Sequence, residues 1–167
     1  MDTLKYIWRP ATGNDIMAIV DMAQRDFESE IDEIFVPDPE VYARNIISAV
    51  ATQSVVPTHE LLMVAHDQHQ QLIAYVWVNK QTAPWSDQVM ATVRMAHLDL
   101  TLPARTRIKL VRDMIGLWEV WAVESSCDIV CSTTMRRDTQ GFMRLHAQAG
   151  YDIRGSIAYK RLQKEQK

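Results

Sequence analysis

Apolar and polar residues follow two different periods along this chain, and the change from one period to the other separates its elements. Residues 104–124 carry the widest apolar stripe at helical spacing. This stripe consists of Ile108, Leu110, Val111, Met114, Ile115, Leu117, Trp118, Trp121 and Ala122. An apolar face this broad is typical of a helix that packs against a sheet. The pattern therefore predicts one long helix that anchors the core.

Shorter apolar runs predict the other elements. Strands are predicted at residues 6–9, 60–65, 72–78, 93–100 and 128–133, and a last strand or tight hairpin at 151–162. Helices are predicted from the polar residues 12–14 onward, from Pro39 onward, and from Asp138 or Thr139 to Ala149. The two apolar runs on either side of residues 66–71 have the pattern of a β-hairpin. Because helices interleave with strands, the predicted class is α/β (α+β), with a mixed central sheet flanked by helices.

Length and charge narrow the class of protein. The 167 residues fit a single domain over 1–167, with a core at 6–162 and a charged tail at 163–167. A net charge of -3 gives no electrostatic reason to expect a nucleic-acid partner. The sequence has no apolar run long enough for a membrane span and no secretory pattern at its start. We expect a cytoplasmic protein without membrane contact, in which Cys127 and Cys131 are reduced thiols.

Two polar segments allow more than one interpretation. Residues 26–40 contain several acidic residues and no basic one. This segment is either a solvated loop or an acidic wall that attracts an amine or a basic peptide. His66 and His69 flank the predicted hairpin turn, and the absence of nearby ligands at metal spacing favours turn histidines over a metal site.

The stretch from Asp128 to Tyr151 carries the most specific signal. A β-branched strand is followed by a short helix with Phe142, Leu145 and Ala149 on one face, and then by Gly150 and an aromatic residue. This order resembles the C-terminal half of the GNAT (Gcn5-related N-acetyltransferase) superfamily. The element order resembles that fold over residues 6–162. The strings HLDLTLPAR (97–105) and RLHAQAGY (144–151) are similar to compact phage-encoded GNAT-like proteins.

The resemblance implies a fold, a reaction and a cofactor. It implies transfer of an acetyl group from acetyl-CoA to an amine of a small molecule or a protein. In the family, the pyrophosphate of acetyl-CoA binds backbone N–H groups at the turn into the long helix, where glycines let the backbone approach closely. The matching stretch here, 101–111, contains no glycine. We therefore expect weak or atypical acetyl-CoA binding that depends on side-chain cations.

The cofactor-binding residues implied by the resemblance surround that turn and the late helix. They are Leu100, Thr101, Arg105, Thr106, Arg107, Lys109 and, in place of the family's asparagine, Thr139. The cations among them have an alternative interpretation as the exposed face of the long helix. The two strands that flank the site are expected to part where residues 99–101 meet 131–135, which would leave a V-shaped cleft.

Three residues are candidates for proton transfer. His146 stands where the family has its general-acid tyrosine, and histidine can donate a proton near neutral pH. His97 and Asp99 on the predicted strand 93–100 are candidates for the general base, directly or through water. The alternatives are that His146 packs against Phe142 on its helix and that Asp99 binds a backbone N–H at the strand end.

The sequence leaves a second function open. A GNAT-fold protein that has lost efficient catalysis could act by binding a protein partner, a host protein if the chain is phage-encoded. The glycine-free turn favours this alternative, whereas the intact element order favours the enzyme. The sequence does not specify the amine acceptor or the protein partner, and a homodimer is a further option.

Overall fold

The computed structural model describes residues 4–30, 35–134 and 139–155, with the backbone alone described at 28–30. Its centre is a five-stranded sheet whose strands follow chain order. The strands are β1 Tyr6–Pro10, β2 Glu60–Asp67, β3 Leu72–Thr82, β4 Val89–Leu98 and β5 Ile129–Ser132. The first four pair antiparallel, and β5 pairs parallel to β4. The predicted mixed sheet is confirmed, whereas residues 151–155 are irregular and the rest of the last predicted strand lies outside the described residues.

In the described part of the chain, four α-helices cover the two faces of this sheet. They are α1 Ile16–Glu30, α2 Pro39–Val55, α3 Ala104–Glu124 and α4 Gln140–Gln148. The helices α1 and α2 pack on one face, where Ile19, Ala23 and Ile46 are buried. The helices α3 and α4 pack on the other face. The α+β class with a sheet flanked by helices is therefore as predicted.

Helix α3 has the predicted bounds and supplies the largest part of its core cluster. Leu110, Met114 and Trp118 are almost inaccessible to solvent, and each such side chain contributes roughly 1.5–3 kcal/mol on burial. Two tryptophan side chains of α3 also donate hydrogen bonds through their indole N–H groups. Trp118 donates to the Tyr151 hydroxyl at 2.8 Å and Trp121 donates to the Pro57 carbonyl at 2.8 Å. The helix therefore fixes both the sheet and the segment after α4.

Side-chain carboxylates set the starts of the first two helices. Asp38 accepts hydrogen bonds from the N–H groups of Glu40 and Val41, and Pro39 occupies the first turn of α2 as predicted. Ahead of α1, the 3₁₀ turn Gly13–Asp15 is held by Asp15. Asp15 is 4% exposed and accepts from the guanidinium of Arg9 at 2.7 and 2.8 Å.

A β-bulge in β4 shapes the part of the sheet that bears on function. Trp77 of β3 faces Met95, but the next residue of β3, Val78, faces Val93. Arg94 is therefore an extra residue in β4, and such a residue bends its strand. The strand β5 pairs with β4 only from Met90 to Val93, so the pairing ends at the bulge. The predicted register is wrong, because Cys131 pairs with Thr92 and Ser132 with Val93, and neither meets residues 99–101. The V-shaped cleft between these strands stays a prediction.

Asp15 should make unfolding depend on pH in the acid range. Burial raises the pKa of Asp15, but the hydrogen bonds from Arg9 and Thr12 outweigh it and lower the pKa to about 2. A lowered carboxyl pKa stabilises the fold above the unfolded pKa of about 3.9, and this stability is lost as the pH falls to about 2. We expect the substitution Asp15→Asn to lower the free energy of unfolding by about 2 kcal/mol at pH 7. Its free energy of unfolding should then change less than that of the wild type between pH 5 and 2. Equal slopes of stability against pH in urea titrations of the two proteins would contradict this.

Candidate functional site

The candidate site lies where β4 continues past its pairing with β5. Residues 95–98 of β4 pair with β3 on one side, and no strand of the described residues pairs with them on the other. An unpaired strand edge presents backbone N–H and C=O groups to a ligand. The chain then turns directly into α3, so this edge and the start of α3 are adjacent. The site therefore combines a free strand edge with a helix N-terminus.

Asp99 holds the turn between β4 and α3. Its N–H donates to the carbonyl of Ile73 at 2.8 Å, which continues the contact with β3. One carboxylate oxygen, Oδ1, accepts from the N–H of Thr101 at 2.9 Å and from its hydroxyl at 2.7 Å. Of the two interpretations of Asp99, the structure contains the one in which it binds backbone at the strand end. A role as general base stays a prediction.

The first turn of α3 contains most of the predicted cofactor-binding residues. The N–H of Arg107 is bonded to the carbonyl of Pro103 at 3.1 Å, and the N–H groups before it have no partner inside the helix. Leu100, Thr101 and Arg105 are exposed, and Thr106 is partly buried. The Nε of Arg107 is buried and has no hydrogen-bond partner in the part of the chain that the structure describes. These groups give this end of the helix a positive potential.

Lys109 makes a different set of contacts. Its ammonium donates to the hydroxyl of Tyr6 at 2.6 Å and to the carboxylate of Asp113 at 3.2 Å. It also lies 4.2 Å from the centre of the Tyr6 ring. These bonds connect α3 to β1. Lys109 therefore contacts Tyr6 and Asp113, whereas its predicted role in cofactor binding stays a prediction.

Thr139 precedes α4 at the N-cap position. Its carbonyl accepts from the N–H of Met143 at 2.9 Å, and its side chain makes no capping bond. The alternative cap, Asp138, lies outside the described residues.

His146 lies in the core between four elements. It is 1% exposed, and the rings of Phe142, Trp118 and Tyr151 lie around it. Its Nδ1 donates to the carbonyl of Phe142 at 2.9 Å, because a carbonyl can only accept. Its Nε2 then accepts from the hydroxyl of Ser132 at 3.0 Å. Burial lowers the pKa of His146, which favours this neutral form. This geometry supports the packing interpretation, and general-acid catalysis by His146 stays a prediction.

His97 lies on the opposite face of the sheet, under α1 and α2. It is 8% exposed, and its Nδ1 is 3.0 Å from the hydroxyl of Tyr75 and 3.3 Å from the Oδ2 of Asp26. The hydroxyl of Tyr75 is also 2.9 Å from that of Tyr42. His97 thus belongs to a buried chain of polar groups that ends on β4 beside the free edge.

Sequence reasoning missed the partners of His97. Asp26 falls in the acidic segment 26–40, interpreted as a solvated loop or an acidic wall, but it lies in α1 and is 9% exposed. The signal is its helical spacing from Ile19, Met22 and Ala23, which places it on the buried face. Its acidic neighbours in the sequence concealed this spacing. Residues 31–34 of the segment lie outside the described residues.

The two hairpin histidines, one in strand β2 and one in the turn, have different neighbours. His66 lies in β2, with its Nε2 3.5 Å from Asp15, and His69 is 3.2 Å from the side chain of Gln68. Within the described ranges, no group of three or more histidine, cysteine or acidic side chains could hold a metal.

Comparison with known proteins gives likeness in structure and none in sequence. No protein-family model matches the chain, and no curated protein matches it. An aminoglycoside antibiotic 6'-N-acetyltransferase from Acinetobacter baumannii has a TM-score of 0.66 at 14% identity, over 96% of this chain and 99% of that one. The glucosamine-6-phosphate N-acetyltransferase of Arabidopsis thaliana has a TM-score of 0.62 at 9% identity, over 95% and 99%. The chain has the GNAT fold.

A third similar structure contains acetyl-CoA. It is a predicted acetyltransferase with acetyl-CoA from Clostridium acetobutylicum, with a TM-score of 0.69 at 14% identity over 94% of this chain and 96% of that one. Identities this low show the fold alone.

No helix among the described residues is long and apolar enough to cross a membrane.

The substitution His146→Phe distinguishes the packing role of His146 from the role of general acid, because the two predict different changes in the free energy of unfolding and in turnover. A histidine whose pKa is lowered in the folded state costs stability as the pH falls below its unfolded value of about 6.5, since the unfolded chain then binds the proton more readily. We expect the free energy of unfolding of His146→Phe to decline less than that of the wild type between pH 7 and 5. Turnover, where it is measurable, should be unchanged. A turnover about a hundredfold lower at equal stability would instead identify a general acid.

Proposed function

We propose that this protein transfers an acetyl group from acetyl-CoA to the amine of a small, cationic acceptor. The observation that carries the proposal is the free edge of β4 leading into the N-terminus of α3. The backbone groups of the strand edge can form hydrogen bonds with an extended chain that contains amides. The start of the helix, which follows directly, has the positive potential that a diphosphate requires. These are the two chemical features of coenzyme A that a protein has to bind.

The residues present fit this co-substrate. Arg105 is exposed at the first turn of α3, and Arg107 has a buried Nε without a described partner. Both would contact phosphate oxygens, which are acceptors for charge-assisted hydrogen bonds. The pantetheine amides would pair with the backbone of residues 94–98. The glycine-free turn leaves less room for the diphosphate at the backbone, so side-chain charge would supply a larger share of the affinity.

The reaction needs a base for the ammonium proton of the acceptor. His97 is the better of the two candidates, because the Asp26 carboxylate, 3.3 Å from its ring, would stabilise the imidazolium. Asp99 binds the backbone and hydroxyl of Thr101 through one oxygen. His97 lies on β4 within the stretch beside the free edge, close to where an acetyl group would lie. His146 would serve as acid only if its ring left the carbonyl of Phe142, since that bond holds its proton.

The acceptor class follows from charge and from the solved neighbours. Two of these neighbours act, by name, on an aminoglycoside and on glucosamine 6-phosphate, both of which contain an amino sugar. In this chain the N-terminal end of α2 carries Asp38 and Glu40, and Phe27 and Tyr42 line a shallow depression beside it. Carboxylates next to aromatic rings favour a cationic ligand with an apolar surface.

A second function, binding of a protein partner without catalysis, is favoured by the engaged state of Asp99 and His146. This is the expected condition of a GNAT-fold protein whose proton-transfer groups have become structural. The similarity to phage-encoded chains makes a host protein the natural partner in that case. Trp85, which is 86% exposed, would suit such an interface.

A transfer assay decides between the two functions. The purified protein should acetylate at least one member of a panel of amino sugars, polyamines and lysine peptides. Mass spectrometry would detect the added acetyl group, and a thiol reagent would detect free coenzyme A. His97→Gln should lower the rate at least tenfold while acetyl-CoA still binds. Tight binding of acetyl-CoA with no transfer to any member of the panel would favour the binding protein.

Affinity for acetyl-CoA should depend on the two arginines and on salt. Each hydrogen bond to a charged group is worth roughly 1.5–3 kcal/mol, so Arg105→Ala and Arg107→Ala should each raise Kd roughly tenfold to a hundredfold. Calorimetry should also show weaker binding as salt rises, because exposed charges are screened. The matched control is Arg44→Ala, which removes an exposed arginine of α2. Salt-insensitive binding that survives both changes would rule out binding through these side chains.

A further inference from the structure

The turn between β4 and α3 is closed by hydrogen bonds that Asp99 accepts. Its Oδ1 accepts from the N–H of Thr101 at 2.9 Å and from the hydroxyl of Thr101 at 2.7 Å. Its carbonyl accepts from the N–H of Leu102 at 3.3 Å, and its own N–H donates to the carbonyl of Ile73 in β3. An aspartate that accepts from the N–H two residues later forms an Asx turn, which fixes the backbone without a glycine. Asp99 therefore sets the path by which the chain enters α3.

These bonds decide which backbone donors are left at the start of α3. The N–H groups of Thr101 and Leu102 are already used, and Pro103 has no N–H. The N–H of Arg107 donates to the carbonyl of Pro103 at 3.1 Å, which is the first bond of the helix. Within the described residues, the N–H groups of 104–106 make no hydrogen bond, and no side chain caps them. The unsatisfied donors are therefore three consecutive N–H groups.

The charge of Asp99 acts against a phosphate at this place. Its carboxylate lies in the turn that leads directly to the three unsatisfied donors, whereas Arg105 is exposed among them. A diphosphate bound at the first turn of α3 would be attracted by the helix end and by Arg105. It would be repelled by Asp99, because like charges repel. The hydrogen bonds of Asp99 and its charge therefore have opposite effects on such a ligand.

We infer that Asp99 is a positioning residue for acetyl-CoA, whose Oδ1 holds the turn in the form that leaves the N–H groups of 104–106 for the diphosphate, and whose charge lowers the affinity. The inference rests on the proposed function, and it gives Asp99 a role in binding rather than in proton transfer. Two substitutions separate the hydrogen bonds from the charge. Asparagine keeps an oxygen that can accept both bonds of Thr101 and removes the charge. Alanine removes the oxygen and the charge.

Calorimetry with acetyl-CoA measures the two effects. We expect Asp99→Asn to lower Kd about twofold to fivefold, because one repulsive charge near the surface is lost. Asp99→Ala also lacks the acceptor, so its Kd should be roughly tenfold higher than that of Asp99→Asn. The gain of Asp99→Asn should shrink as salt is raised. A Kd of Asp99→Asn equal to or above that of the wild type at low salt would overturn the inference.

Asp128→Asn is the matched control. The Asp128 carboxylate also accepts from a backbone N–H, that of Val89 at 2.8 Å, but at the opposite end of β4. The variant changes the net charge by the same amount, so its Kd should equal that of the wild type. A gain in affinity as large as that of Asp99→Asn would show that net charge alone is responsible, which would overturn the inference.

Hydrogen exchange and kinetics distinguish this role from others. The Thr101 amide should exchange slowly in the wild type and in Asp99→Asn, and roughly tenfold faster or more in Asp99→Ala. Equal exchange in all three proteins would overturn the inference whether or not acetyl-CoA binds. A kcat at least tenfold lower in Asp99→Asn at unchanged Kd would identify a general base and would also overturn it. Absence of acetyl-CoA binding by the wild type would instead refute the proposed function.

Discussion

The bulge at Arg94 in β4 is the constraint on which the geometry of the site depends. One extra residue reverses the alternation of the strand, so Val93 faces the cluster under α3 whereas Met95 faces the cluster under α1 and α2. The same residue ends the pairing with β5. Without the bulge, the residues after it would face the opposite sides of the sheet, and His97 would lie under α3. The free edge of β4 and the burial of His97 beneath α1 therefore have one cause.

The two histidines of the site lie in environments of opposite character. His146 is surrounded by the rings of Trp118, Phe142 and Tyr151, and each of its nitrogens has a neutral partner. Among the described residues, Glu119 is the charge that raises the pKa of His146, and its effect is smaller than the lowering by burial. His97 lies against a carboxylate. These surroundings favour a positive charge on the ring of His97 over one on the ring of His146.

Much of the fold could be predicted from the sequence, because its elements are periodic. The apolar stripe of α3 is long enough to give both of its ends, and the hairpin of β2 and β3 follows from its two apolar runs. The bulge could not be predicted, since alternation holds again after it and a single extra residue leaves no pattern. The partners of His146 could not be predicted either, because Trp118, Ser132 and Tyr151 reach it from three other elements. Asp26 was within reach through its spacing from Ile19 and Ala23, but the acidic run around it indicated a loop.

The arrangement of charges explains how one site could serve two substrates. Arg105 and Arg107 place positive charge at the start of α3, which suits the phosphates of coenzyme A. Asp38 and Glu40 place negative charge at the start of α2, which suits a cationic amine. Since α2 and α3 cover opposite faces of the sheet, the two substrates would approach from opposite sides. They would meet beside residues 95–98 of β4, with which no strand of the described residues pairs on that side. A base on the face that the amine enters, such as His97, would then meet the ammonium before the thioester does.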